Sequence, residues 1–103
     1  MITDKQFDDA FTAAGGWFIL TQFETVYEWR GDKRDLIDKL YLEGFDKART
    51  GTSTRVNSLK RIIDNGRGKE ALEKVRDSSN INRVHPEAHS MADRILKKYY
   101  LKY

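Results

Sequence analysis

Between Lys47 and Lys69 the chain carries seven basic residues, Lys47, Arg49, Arg55, Lys60, Arg61, Arg67 and Lys69, against the single acid Asp64. In the middle of this stretch Thr50, Gly51, Thr52, Ser53 and Thr54 make a hydroxyl-and-glycine run ahead of an apolar-periodic segment, the pattern of a turn leading into a helix. Free backbone N–H groups of a first helical turn, joined by the Thr52, Ser53 and Thr54 hydroxyls, suit a phosphate oxygen, and the surrounding cations would neutralise its charge. Burying Val56, Leu59 and Ile63 of the same helix turns Thr54, Arg55, Ser58, Arg61 and Asn65 outward, side-chain types that reach bases and phosphates. The predicted nucleic-acid or anion contacts are therefore Arg49, Thr50, Gly51, Thr52, Ser53, Thr54, Arg55, Ser58, Lys60, Arg61, Arg67 and Lys69. The chemistry is binding; no bond-making role is predicted, no residue is read as catalytic, and no cofactor or metal is implied.

Charge is segregated along the chain. Residues 1 to 46 hold five basic and ten acidic groups, residues 47 to 69 sum to +6, and the whole chain to +3. A basic middle suits DNA or RNA. It equally suits an acidic protein partner, or the acidic N-terminal half of the same chain or of a second copy, so an interaction or regulatory protein is the alternative to a nucleic-acid module, with self-association weakened by salt.

Other constellations carry less. Gly66-Arg67-Gly68-Lys69 has the look of a phosphate loop, but Ile63 stands where the first glycine belongs, Glu70 replaces the Ser or Thr, and no strand precedes it. His85, His89 and Asp93 recur at i, i+4, i+8, yet His85 falls just before Pro86 at the mouth of the last helix and further ligands for a tetrahedral metal are lacking; both histidines read as surface or cap residues. Arg83 and His89 have an Arg-five-residues-His spacing that resembles the ribonuclease motif of some small helical toxins; Val84 stands where that motif usually places a polar residue. A metal-dependent or ribonuclease-like enzyme is thus the third and weakest reading. Asp8-Asp9, and Asp32, Asp35 and Asp38, read as solvated helix faces and first-turn partners of the helix dipole. Arg30-Gly31-Asp32 reads as a turn and cap, and Trp17, Trp29 and Tyr27 as core aromatics.

The elements that must position these groups are helical. Thr3 to Gln6 has capping-box spacing, and Phe7, Ala10, Phe11 and Ala14 follow at i, i+3, i+4, i+7, until Gly15-Gly16. Residues 17 to 29 mix β-branched and aromatic types, but Leu20, Phe23, Val26 and Tyr27 fit the 3.6 period better than strand alternation, and four large apolar residues in a row at 17 to 20 predict a helix buried on most sides. Asp32 caps a helix predicted over 33 to 48, with Leu36, Ile37, Leu40, Tyr41, Phe45 and Ala48 as its stripe. After the Thr50 to Ser53 break, helices are predicted at about 53 to 65, stopped by Asn65-Gly66, and at about 69 to 77. Residues 78 to 82 read as loop, and a last helix opens at Pro86 and runs through Lys97-Lys98-Tyr99-Tyr100-Leu101-Lys102-Tyr103. The prediction is all-α: one domain, residues 1 to 103, a compact orthogonal bundle of five or six short helices. Within it, the helices flanking Thr50 to Ser53 resemble a helix-turn-helix pair.

Composition bounds the rest. With 103 residues, 39% apolar and 34% charged, the chain can bury one core without staples. No cysteine is present, so disulfides and thiolate metal sites are excluded. Met1 to Lys5 shows no basic leader with an apolar run, and no apolar stretch approaches the ~18 residues of a membrane span, so a cytoplasmic protein without membrane contact is expected.

Overall fold

The computed structural model describes residues 1 to 100. Seven helices account for its regular structure: α1 (Asp4–Ala14), α2 (Gly16–Glu28), α3 (Lys33–Leu42), α4 (Arg49–Asp64), α5 (Gly68–Arg76), α6 (Ser79–Val84) and α7 (Ala88–Tyr99). There is no strand among the described residues, as the periodicity predicts.

α1 begins with the predicted capping box: Gln6 N–H donates to the Thr3 hydroxyl at 3.1 Å, and Thr3 N–H donates to the Gln6 side chain at 2.9 Å. Gly15, at φ +85°, then turns the chain directly into α2. A left-handed residue here costs glycine little and any other residue more, so α1 and α2 meet at a sharp corner with no loop between them.

α2 is the axis of the core. Phe18, Ile19, Leu20, Phe23 and Val26 are all buried, and the helix packs against α1, α4, α5 and α7. One continuous apolar cluster joins it to Phe7, Ala10 and Ala14 of α1, Leu36, Ile37 and Leu40 of α3, Val56, Leu59 and Ile62 of α4, Ala71, Leu72 and Val75 of α5, and Ala88, Ala92, Ile95 and Leu96 of α7.

Three boundaries differ from the sequence expectation. The helix predicted over 33 to 48 ends at Leu42, because Gly44 takes φ +89° and donates its N–H back to the Tyr41 carbonyl. Phe45 folds onto Phe18 instead, edge to face with ring centroids 5.4 Å apart, so its place in the apolar stripe is filled by a turn contact and not by helix. Next, Thr50 to Thr54 are not a turn: α4 starts at Arg49, four residues before the predicted position, and carries all five inside it. The resemblance to a helix-turn-helix pair fails at its turn, since the α3–α4 connection is residues 43 to 48. Finally, residues 79 to 84 are helical, nucleated by Ser78, whose hydroxyl accepts from Ile81 N–H at 3.3 Å, while Asn82 Nδ2 donates to carbonyls of Val75, Arg76 and Ser78. Pro86 lies in the connection before α7, which opens at Ala88. The predicted extension of α7 over 101 to 103 lies outside the described residues. No helix among the described residues is long and apolar enough to cross a membrane.

Candidate nucleic-acid interface

The structure divides the predicted site residues into two groups. The first is turned inward. Thr52 is fully buried, and its hydroxyl donates to the Asp46 carboxylate at 3.0 Å. Arg55 Nε donates to the same carboxylate at 3.1 and 3.2 Å, its Nη1 donates to the Ala14 carbonyl at 2.6 Å, and its guanidinium lies 5.9 Å from the centre of the Phe18 ring. A Cβ added at Gly51 would stand 3.1 Å from the Asp46 carboxyl, so the glycine is there to let that carboxylate approach the helix. The anion predicted at this helix start is supplied by the protein itself. Asp46 occupies the cradle of Gly51, Thr52 and Arg55, and Arg55 ties it to the C-terminal end of α1, where carbonyls welcome a cation. The sequence expectation that the Thr52 hydroxyl and an outward-facing Arg55 take an external phosphate is corrected by that geometry.

Arg67 is also internal. It donates to the Thr3 carbonyl at 3.1 Å and to Asp4 at 2.9 Å, and pairs with Glu70 at 2.5 Å while its guanidinium lies 4.2 Å from the centre of the Phe7 ring. The Glu70 carboxylate, with Asp4 behind it, pushes this guanidinium above its ordinary value. Gly66 (φ +74°) closes α4 and Gly68 opens α5 against Phe23 and Tyr100, which accounts for the two glycines of the rejected phosphate loop as helix punctuation and close packing.

The second group faces out. Thr50, Thr54, Asn57 and Arg61 are exposed and, at i, i+4, i+7, i+11, share one face of α4. Ser53, Ser58 and Lys60 lie half-buried beside that row. The Thr54 hydroxyl returns to the Thr50 carbonyl at 3.0 Å, and the Asn57 amide donates to the Ser53 hydroxyl at 3.3 Å. Arg49 reaches Asp38 of α3 at 2.5 Å, and Lys60 pairs with Asp64 at 3.6 Å; both pairs are about half exposed, so their cations stay accessible to another anion. Lys47, Arg61 and Lys69 make no ion pair among the described residues.

Between this face and α1 runs a groove of about 290 Å³, lined by Asp9, Ala10 and Ala13 on one side and Asn57, Ser58 and Arg61 on the other. Asp9 is paired with Lys5 at 3.0 Å. Asp4 and Asp8 are held by Arg67 and Lys74 of the α5 side. Much of the charge segregation read from the sequence is thus neutralised inside the molecule, with the acidic N-terminal half pairing with Arg49, Arg55 and Arg67 and leaving α4's outward row uncovered.

The remaining motifs have structural partners. The His85 ring stacks on Trp17, centroids 3.5 Å apart and 6° from parallel, and His89 Nε2 lies 3.4 Å from Asp93, which also meets Arg76 at 3.5 Å. No group of three His, Cys, Asp or Glu side chains among the described residues could hold a metal ion. Arg83 lies on the short α6 and His89 on α7, where Asp93 engages it. Trp29 Nε1 donates to the Asp32 carbonyl at 2.9 Å, fixing the Arg30-Gly31-Asp32 turn, and Asp32 caps α3 through Arg34 N–H at 3.0 Å. Tyr27 packs on Phe23 and Tyr99 but is exposed, an aromatic at the rim and not the core residue expected.

Comparison with protein-family models, with curated proteins and with solved structures gives no match.

Proposed function

We propose that this protein is a small helical nucleic-acid-binding module without catalytic activity, whose contact surface is the outward face of α4. The observation that supports it is the row Thr50, Thr54, Asn57 and Arg61. It runs down a sixteen-residue helix with no carboxylate before Asp64, and it ends in a guanidinium that no acid among the described residues engages. Hydroxyl, amide and guanidinium groups on one helix face are donors and acceptors suited to base edges and sugar hydroxyls. Lys47, Arg49 and Lys60, just before or on α4, accompany the row and would neutralise backbone phosphates, whereas Lys69 lies on α5 beside α7 and takes no part. Arg55, Arg67 and Thr52 belong to the scaffold that holds the helix in place.

Fluorescence anisotropy with a labelled mixed-sequence oligonucleotide tests the reading. With about four phosphates neutralised, the logarithmic salt slope is roughly −3 to −4, and Arg61→Ala weakens binding without moving the unfolding midpoint. An affinity untouched by Arg61→Ala and by salt contradicts it.

A further inference from the structure

The groove between α1 and α4 adds a specificity to that face. Its floor on the α1 side is Ala10 and Ala13, small apolar groups, and its α4 wall offers the Asn57 amide, the Ser58 hydroxyl and the unpaired Arg61. The Asn57 side chain spends one N–H on Ser53, leaving its oxygen and second N–H uncommitted, and Ser58 makes no side-chain hydrogen bond among the described residues. At about 290 Å³ the space lies just under the roughly 300 Å³ lower end of small-ligand pockets. A single planar ring is a ligand of that scale.

The acid on its rim decides which part of a nucleotide enters. Asp9 commits one oxygen to Lys5 at 3.0 Å and retains the other as an acceptor. A carboxylate repels phosphate and accepts N–H donors, so the groove favours a base over a phosphate, while Arg61 on the α4 side favours the phosphate that follows.

We infer that the α1–α4 groove seats an unpaired nucleobase, making this face selective for single-stranded over double-stranded nucleic acid. The inference rests on the α4 reading above. In a duplex both faces of every base are stacked and the groove floor has nothing to receive; in a single strand a base swings out and lays its face on the exposed Ala13, with the buried Ala10 behind it, its edge meeting Asn57, Ser58 and Asp9. The selectivity comes from shape and from donor placement, with the cations of α4 supplying the affinity common to both forms.

The test uses the full chain, a labelled single strand of about twelve nucleotides and the duplex of the same sequence, compared at equal low salt. Ala13 is exposed and helical, so Ala13→Leu fills the groove with a good helix former and leaves every cation in place. The single strand is expected to bind more tightly than the duplex. Ala13→Leu weakens the single strand by about tenfold and the duplex by less than about twofold, the loss of one well-seated contact. Asn57→Ala, which leaves the groove open, weakens the single strand severalfold and keeps the fold should Ala13→Leu disturb it. Equal affinity for the two forms, or no loss in either variant, overturns the base-seating inference while the α4 reading stands. No binding of either probe overturns both.

Discussion

Replacing Arg55 with alanine separates the two roles that a basic residue on α4 can have. Its guanidinium makes charged hydrogen bonds to Asp46 at 3.1 and 3.2 Å and to the Ala14 carbonyl at 2.6 Å, where α1 turns into α2. A hydrogen bond to a charged group contributes about 1.5–3 kcal/mol. The Arg55 side chain is 33% exposed and that of Asp46 15%, so solvent screens part of this, and two such interactions with the loss of the Phe18 contact come to about 3 kcal/mol. For a chain of this size that lowers the melting temperature by roughly 10–20 °C. Urea unfolding followed by circular dichroism gives the free energy directly, and Arg61→Ala, on the exposed row, should change it by less than about 0.5 kcal/mol. Asp46→Ala should cost a comparable amount because it strands Arg55 and the buried Thr52 hydroxyl, and the double variant should lose less than the sum of the singles. A stability unchanged within about 0.5 kcal/mol in Arg55→Ala refutes the scaffold role and returns Arg55 to the binding surface.

Two further predictions concern the core and the α2–α7 seam. A Cβ at Gly68 meets the Tyr100 hydroxyl and stands 3.0 Å from Phe23 Cζ, so Gly68→Ala should destabilise by about 1–2 kcal/mol despite a gain in helix propensity, and Tyr100→Phe should recover part of that; a Gly68→Ala variant as stable as the parent contradicts the packing argument. Glu24 is held below its ordinary value by the Lys98 hydrogen bond at 2.8 Å, with Arg94 at 2.9 Å adding to it against the opposing effect of burial. Its folded-state value is depressed, so its contribution is fully present above the unfolded value of 4.5 and is lost as pH falls through the folded one. Urea midpoints measured downward from about pH 5 should therefore fall less steeply in Glu24→Gln than in the parent, and parallel curves would show that the Lys98 and Arg94 contacts contribute nothing.

How much of this was legible in the sequence follows from where each signal is local. α1, with Thr3, Gln6 and the Gly15-Gly16 stop, is written entirely within its own residues, and so is the buried α2, whose spacing of Leu20, Phe23 and Val26 outweighs its β-branched composition. The end of α3 was not, because Phe45 and Ala48 continue the apolar spacing past Gly44; only the tertiary contact of Phe45 with Phe18 decides between stripe and turn. The sequence reads Ser78 to Asn82 as loop because it is polar, and the one local signal for α6 is Ser78 as an N-cap residue type, whose hydroxyl accepts from Ile81 N–H. The largest revision concerns Thr52 and Arg55. Their types and spacing do describe an anion cradle, as read, but the anion is Asp46, six and nine residues earlier in the chain. Charge counting cannot show which cations an internal carboxylate has already taken, whereas helical periodicity alone places Thr54 and Arg61 outward, and both are exposed.

The most direct test of the central claim is an amide-resolved NMR titration of the labelled protein with a single strand and with a duplex, at about 50 and 200 mM salt. The account predicts salt-sensitive shifts along the outward row Thr50, Thr54, Asn57 and Arg61 and at Asp9 to Ala13 across the groove, with the single strand giving the larger changes. Shifts confined to other surfaces, or none at the lower salt, would contradict it.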